Sequence, residues 1–144
     1  MDFNLDTIQQ HLGITFKNKN LLKIAFTHSS YANDKGEVSN ERLEFLGDSI
    51  LNFIVANQLY KKFKKKNEGY LTIARAEIVS GKSLSATTEK MDLIKFLRTG
   101  NGLIGEEARK SDRVKAGLFE AIVAAIYLDG GMKAAEKFIK TNLH

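Results

Sequence analysis

Cysteine, proline and tryptophan are absent from the 144 residues. Without cysteine there is no disulfide framework, and the three histidines, His11, His28 and His144, are too scattered to form a zinc site. No apolar run is long or uncharged enough to cross a bilayer, so no membrane role is expected. The opening MDFNLDTIQQHLG lacks a basic segment followed by an apolar one, which argues against a signal peptide and makes the cytoplasm the expected location. No repeat, linker or low-complexity stretch divides the chain, so residues 1–144 are expected to form one domain. Nor does any segment alternate for long enough to require a sheet, and the fold class is read as all-α.

What remains is 43% hydrophobic and 27% charged, a mixture suited to a packed domain. The 22 Lys plus Arg exceed the 17 Asp plus Glu, for a net charge of +5. Ordinary solubility accounts for so modest an excess, but Lys61, Lys62, Lys64, Lys65 and Lys66 crowd together. A helix C-terminus favours such charge through its dipole, and the same run attracts a polyphosphate backbone.

Apolar spacing predicts a first helix over 3–11 stopped by Gly13, and a second from about Asn18 that runs out at Thr27-His28-Ser29-Ser30. Asn33-Asp34-Lys35-Gly36 reads as an exposed turn. Ser39 or Asn40 can cap the longest helix, about 41–63, whose broad apolar circumference makes it the expected central helix. Further helices are expected from Leu71-Thr72 to Val79, over 83–90, over about 112–128, and after Gly130-Gly131. The stretch 92–109, with Gly100, Gly102 and Gly105, reads as the least regular.

The strongest chemical signal is Asn40-Glu41-Arg42-Leu43-Glu44-Phe45-Leu46-Gly47-Asp48. Steps of three and four put Glu41, Glu44 and Asp48 on one helical face, continuing a stripe of Leu51, Val55 and Leu59. Like charges so arranged repel, and more strongly when partly desolvated. A hard divalent cation such as Mg²⁺ would offset that cost; Arg42 and nearby lysines could do so instead. The plainer reading of Glu41 is a solvated charge favoured by the helix dipole, whereas Asp48, between Leu46-Gly47 and Ile50-Leu51, calls for a partner. Glu120 raises the same question among Ala116, Phe119, Val123, Ala124 and Tyr127. If the two long helices cross, Glu44, Asp48 and Glu120 can converge on one metal that prepares water to attack a phosphodiester.

The nine residues 40–48 match the signature of the ribonuclease III family almost letter for letter. Leu22 through Ser30, Glu68-Gly69, Leu71 through Ser80 and Phe119 through Gly131 extend the resemblance over essentially the whole chain. It implies a helical endonuclease domain that hydrolyses double-stranded RNA with Mg²⁺, or Mn²⁺ as a substitute, of the rRNA and mRNA processing type. It also implies a homodimer whose joined surface holds the duplex and leaves 5′-phosphates with short 3′ overhangs. Glu41 would organise the site, Glu44 would be a metal ligand, Asp48 would bind metal and assist the catalytic water, and Glu120 would be both ligand and catalytic residue. Phe45 matches the aromatic that inserts into the partner subunit, its plainer use being core packing. The family pattern continues into a C-terminal double-stranded RNA-binding domain, which is not expected within these residues.

One position departs from that pattern. An Asp ligand usually stands three residues before the final Glu, and here Gly117 occupies the place, with no evident local benefit and a helix-propensity cost of about 1 kcal/mol relative to Ala. Asp112 lies off the required face and is not expected to substitute. The resemblance therefore implies an impaired nuclease. The alternative is a catalytically silent RNA-binding or dimer-partner module of the same fold, and a third reading is a helical protein-interaction domain unrelated to RNA. Gly100 through Gly105 satisfies G-x-G-x-x-G, but a dinucleotide site needs a strand before it, and Glu106-Glu107 would repel a pyrophosphate. Ser29-Ser30 lacks a nucleophile-elbow context and reads as a helix end, with His28 as a cap or interhelical bond near the acids.

Overall fold

A computed structural model describes residues 3–143, and among these the chain is helical throughout, joined only by loops and one isolated Thr27–Arg98 bridge. In order the helices are α1 Leu5–Leu12, α2 Lys19–Ala25, α3 Ser29–Lys35, α4 Glu41–Lys62, α5 Glu68–Val79, α6 Gly81–Lys90, α7 Leu103–Lys110, α8 Asp112–Gly130 and α9 Met132–Asn142, with a 3-10 turn at Ile94–Phe96. The all-α reading holds. Met1, Asp2 and His144 lie outside the described residues.

Several boundaries differ from the sequence reading for identifiable reasons. Residues 33–36 are not a free turn but the end of α3, closed by Gly36 in the left-handed region at φ 67°. Ser29-Ser30 opens that helix instead of ending one, because His28 caps it by accepting the Ser30 N–H at Nδ1, 3.2 Å away. Asn40 holds the N-cap position of α4 without a capping bond from its side chain, whose amide donates to the Ala25 carbonyl at 3.1 Å, while the Ser39 Oγ before it accepts from the Glu41 N–H. Helix α5 starts at Glu68, ahead of the expected Leu71, because the Asn67 side chain accepts the Tyr70 N–H. The second half of the irregular stretch is α7, so Gly102 and Gly105 are the cap and an interior residue of a helix, not loop positions.

The central helix is α8, not α4. From Lys115 to Ile126 every α8 residue except Glu120 is buried. Helix α4 buries Leu43, Gly47, Ile50, Leu51, Ile54, Val55 and Leu59, but its surplus aromatics Phe45, Phe53 and Tyr60 face outward. Its wide apolar circumference thus serves both a core face and a bare one.

Helices α4 and α8 meet at Gly47. A Cβ built there would fall 1.8 Å from the Glu120 carbonyl oxygen, so only glycine admits this approach of two backbones. The contact sets Glu120 against the turn that carries Glu44 and Asp48. Gly47→Ala is expected to destabilise the fold by about 3 kcal/mol, at the upper end of core overpacking, in urea denaturation; an unchanged midpoint would refute the tight crossing.

Candidate active site

The crossing delivers the four acids to one opening. Glu41, Glu44, Phe45 and Asp48 from α4, with Arg113 and Glu120 from α8, line an open cleft of about 410 Å³. Glu41 and Asp48 are exposed, whereas Glu44 and Glu120 are half-buried. Ser39 Oγ donates to Glu41 at 3.0 Å, and the Asn52 amide donates to the Asp48 backbone carbonyl at 2.9 Å with its carboxylate at 3.4 Å.

Burial is the main force on the two inner carboxyls. It pushes Glu120 up to about 8, helped by a hydrogen bond with Asp48 and by the charges of Asp48 and Glu44. Burial also raises Glu44; Arg113 opposes the rise, and Glu41 and Asp48 add to it. Protonated, Glu120 donates to Asp48. Arg113 is the nearby cation, yet among the described residues it forms no ion pair with any of the four acids. Arg42, offered by the sequence as one alternative to a metal, is exposed and does not line the cleft. Arg113 precedes Glu120 by seven residues, two helical turns on the same face, and that spacing was the available signal.

Gly117 has a local benefit that its sequence context did not reveal. Its missing side chain leaves room for the Glu44 carboxylate, which would lie 2.7 Å from a Cβ at that position. Asp112 is engaged elsewhere, accepting from Ser85 Oγ at 2.8 Å, as its off-face position suggested.

The donor chemistry suits a hard divalent ion: carboxylate oxygens, excess negative charge and raised carboxyl pKa values on one cleft. The geometry is looser. Among the described residues no three His, Asp or Glu side chains stand together as a ready metal cage. Binding would draw carboxylates inward and displace the proton on Glu120.

His28 lies beside the acids in an adjoining polar cavity of about 290 Å³ that also touches Glu41, Glu44 and Arg113. Burial lowers its pKa and Glu41 partly restores it. His11 is remote, its Nε2 hydrogen-bonded to the Met91 carbonyl. Phe45 is 80% exposed at the cleft edge, which removes core packing as its role.

A family model described as Ribonuclease-III-like matches residues 18–144. The chain is 43% identical to Ribonuclease 3 of Protochlamydia amoebophila over 139 residues, covering 95% of this chain and 57% of that protein. It is 46% identical to Ribonuclease 3 of Caldanaerobacter subterraneus over 137 residues, covering 94% and 60%. The chain thus spans less than two thirds of the length of these relatives. Among solved structures, the nuclease domain of ribonuclease III from Campylobacter jejuni superposes with a TM-score of 0.87 at 34% identity, over 96% of this chain and 98% of that one. Dicer from Giardia intestinalis shares the fold at a TM-score of 0.71 and 24% identity, over 96% of this chain and 18% of that one.

The raised Glu120 carboxyl has a consequence for stability. Its pKa is higher folded than unfolded, so the native state binds the proton more tightly and stability falls as pH rises from 4.5 through 8. Glu120→Gln mimics the protonated form and keeps a donor for Asp48. In EDTA it is expected to melt above the parent at pH values beyond 8 and to match it below 4.5; equal melting temperatures across that range would contradict the burial argument.

Proposed function

This chain belongs to the ribonuclease-III-like family, and from that premise we propose that it is a Mg²⁺-dependent endonuclease unit for double-stranded RNA, of the rRNA and mRNA processing type, working as a homodimer in the cytoplasm with turnover restrained by Gly117. The carrying observation is the convergence of Glu44, Asp48 and Glu120 on one under-neutralised cleft at the α4–α8 crossing. No described helix is long and apolar enough to cross a membrane.

Glu44, Asp48 and Glu120 would hold Mg²⁺, with Mn²⁺ as a substitute, and water would take the place left by Gly117. The bound ion supplies Lewis-acid polarisation of the phosphodiester and a more acidic water. Asp48, exposed and steadied by Asn52, would accept the proton of the attacking water as the P–O3′ bond breaks and the leaving 3′ oxygen takes a proton from solvent water. Glu120 would act as both ligand and catalytic carboxylate once its own proton has left. Glu41, held by Ser39, would organise the cleft by keeping negative charge at its mouth. Products with a 5′-phosphate and a 3′-hydroxyl follow from this direction of cleavage.

Gly117 supports a second reading, a silent RNA-binding or dimer-partner module. Two substitutions separate them. Gly117→Asp adds a carboxylate and forces Glu44 from its resting place towards the cleft; Gly117→Ala forces the same movement without adding a ligand. Mg²⁺-dependent cleavage of a long RNA duplex is expected to rise by at least ~10²-fold for Gly117→Asp and to stay near the parent for Gly117→Ala, since even outer-shell partners are worth 10–100-fold. Silence of all three proteins, each folded and dimeric, would favour the binding module.

Phe45, with Phe53 and Tyr60 farther along α4, would supply the apolar contact to a second copy. Phe45→Glu is expected to weaken self-association by about 30-fold or more in sedimentation equilibrium, the scale of a buried aromatic anchor. An unchanged dimer would remove Phe45 from the interface.

A further inference from the structure

We infer that the groove between the C-terminal end of α4 and the outer face of α9 is a second contact surface for the phosphate backbone of duplex RNA, separate from the acid cleft. The identity of the polyanion rests on the RNA-cleaving reading above. The groove itself is read from this chain.

Lys61 and Lys62 from α4 and Lys133, Lys137 and Lys140 from α9 line a concavity of about 720 Å³, with Glu136 as its acid. All five lysines are exposed, and among the described residues none is in an ion pair. The α4 pair needs little explanation, because a helix C-terminus favours cations. On α9 the same account covers Lys140, in the last turn, but neither Lys133 nor Lys137. Lys133 stands in the first turn of α9, where the dipole disfavours a positive charge. Lys133, Lys137 and Lys140 follow at steps of four and three, so they repel along one face while Ala135, Phe138 and Ile139 are buried on the other.

Folding then brings this row against a second basic segment some seventy residues earlier. A merely solvated surface has no reason to converge five like charges on one hollow. A phosphate backbone turns that repulsion into attraction and releases its condensed counterions. The other lining side chains, Asn57 and Gln58, also donate to phosphate oxygens, and no large apolar residue lines the groove as a membrane or protein-docking face would require. Lys61 lies about 20 Å along α4 from Asp48 at the helical rise, and the groove shares no lining residue with the acid cleft.

The test is binding of a long RNA duplex in EDTA, followed from about 50 to 200 mM salt, by the parent chain and by a Lys133→Gln, Lys137→Gln, Lys140→Gln triple variant. Glutamine preserves helix propensity and relieves the repulsion, so the fold is expected to persist, checked by thermal melting. The parent's log–log salt slope is expected to exceed the variant's by about three, near one for each lysine. Should the triple variant melt early, Lys137→Gln alone gives the same readout with an expected change of about one. Intact binding with an unchanged slope overturns the groove and leaves the acid-cleft reading standing. No binding by the parent at any salt overturns both.

Discussion

Everything chemical in this protein depends on how closely α4 and α8 approach. Two helices whose facing residues carry side chains are held apart by those side chains, and Gly47 removes that spacer at the one point where Glu120 must sit. Sub-van der Waals room for even a methyl group means that the crossing is fixed by backbone contact, not by an adjustable rotamer. The buried residues of α8 on either side of Glu120 then anchor the acid in a core that moves little. Precision at the cleft is inherited from packing behind it.

That anchoring carries an electrostatic cost. A carboxyl flanked by buried alanines, leucine and phenylalanine has little water to stabilise its charge, and its neighbours across the crossing are also acids. Burial and these neighbours push the Glu120 carboxyl up to about 8, where it keeps a proton for its hydrogen bond with Asp48. A site meant only to be stable would have placed Arg113 in contact with these groups. Its looser approach leaves the cluster short of positive charge, which is the condition a divalent ion relieves. Charge elsewhere follows the opposite logic: five lysines of α9 and of the α4 end gather in one groove against a single acid, Glu136.

Much of this was legible in the sequence because it depends on short-range periodicity. The three acids of 41–48 share a face by spacing alone, and Glu120 stood out as an acid among small and apolar residues. The all-α fold followed from patterns of three and four. What escaped notice depended on distant contacts or on side chains with two uses. Asn40 looks like a cap by its side chain, but a buried carbonyl at Ala25 claims its amide; Ser29-Ser30 looks like a helix end, yet it opens α3 under the His28 cap. The primacy of α8 over α4 was hidden because apolar content does not distinguish a face that packs on the core from one left bare. Arg113 needed only the i+7 relation to Glu120. The partnership of Lys61 and Lys62 with α9 needed the fold itself.

Gly117 joins these threads. Read along the chain it is a lost ligand and a weak helix residue. In three dimensions it is also a cradle, since its absent side chain lets the Glu44 carboxylate lie against α8. The Glu44 carboxylate that lies against Gly117 is half-buried and lines the acid cleft as well. Any side chain at 117 would displace that carboxylate, whether or not it brought an oxygen of its own. Filling the cradle is therefore distinct from restoring the donor, and the larger share of any deficit belongs to whichever of the two a methyl group alone leaves unrepaired.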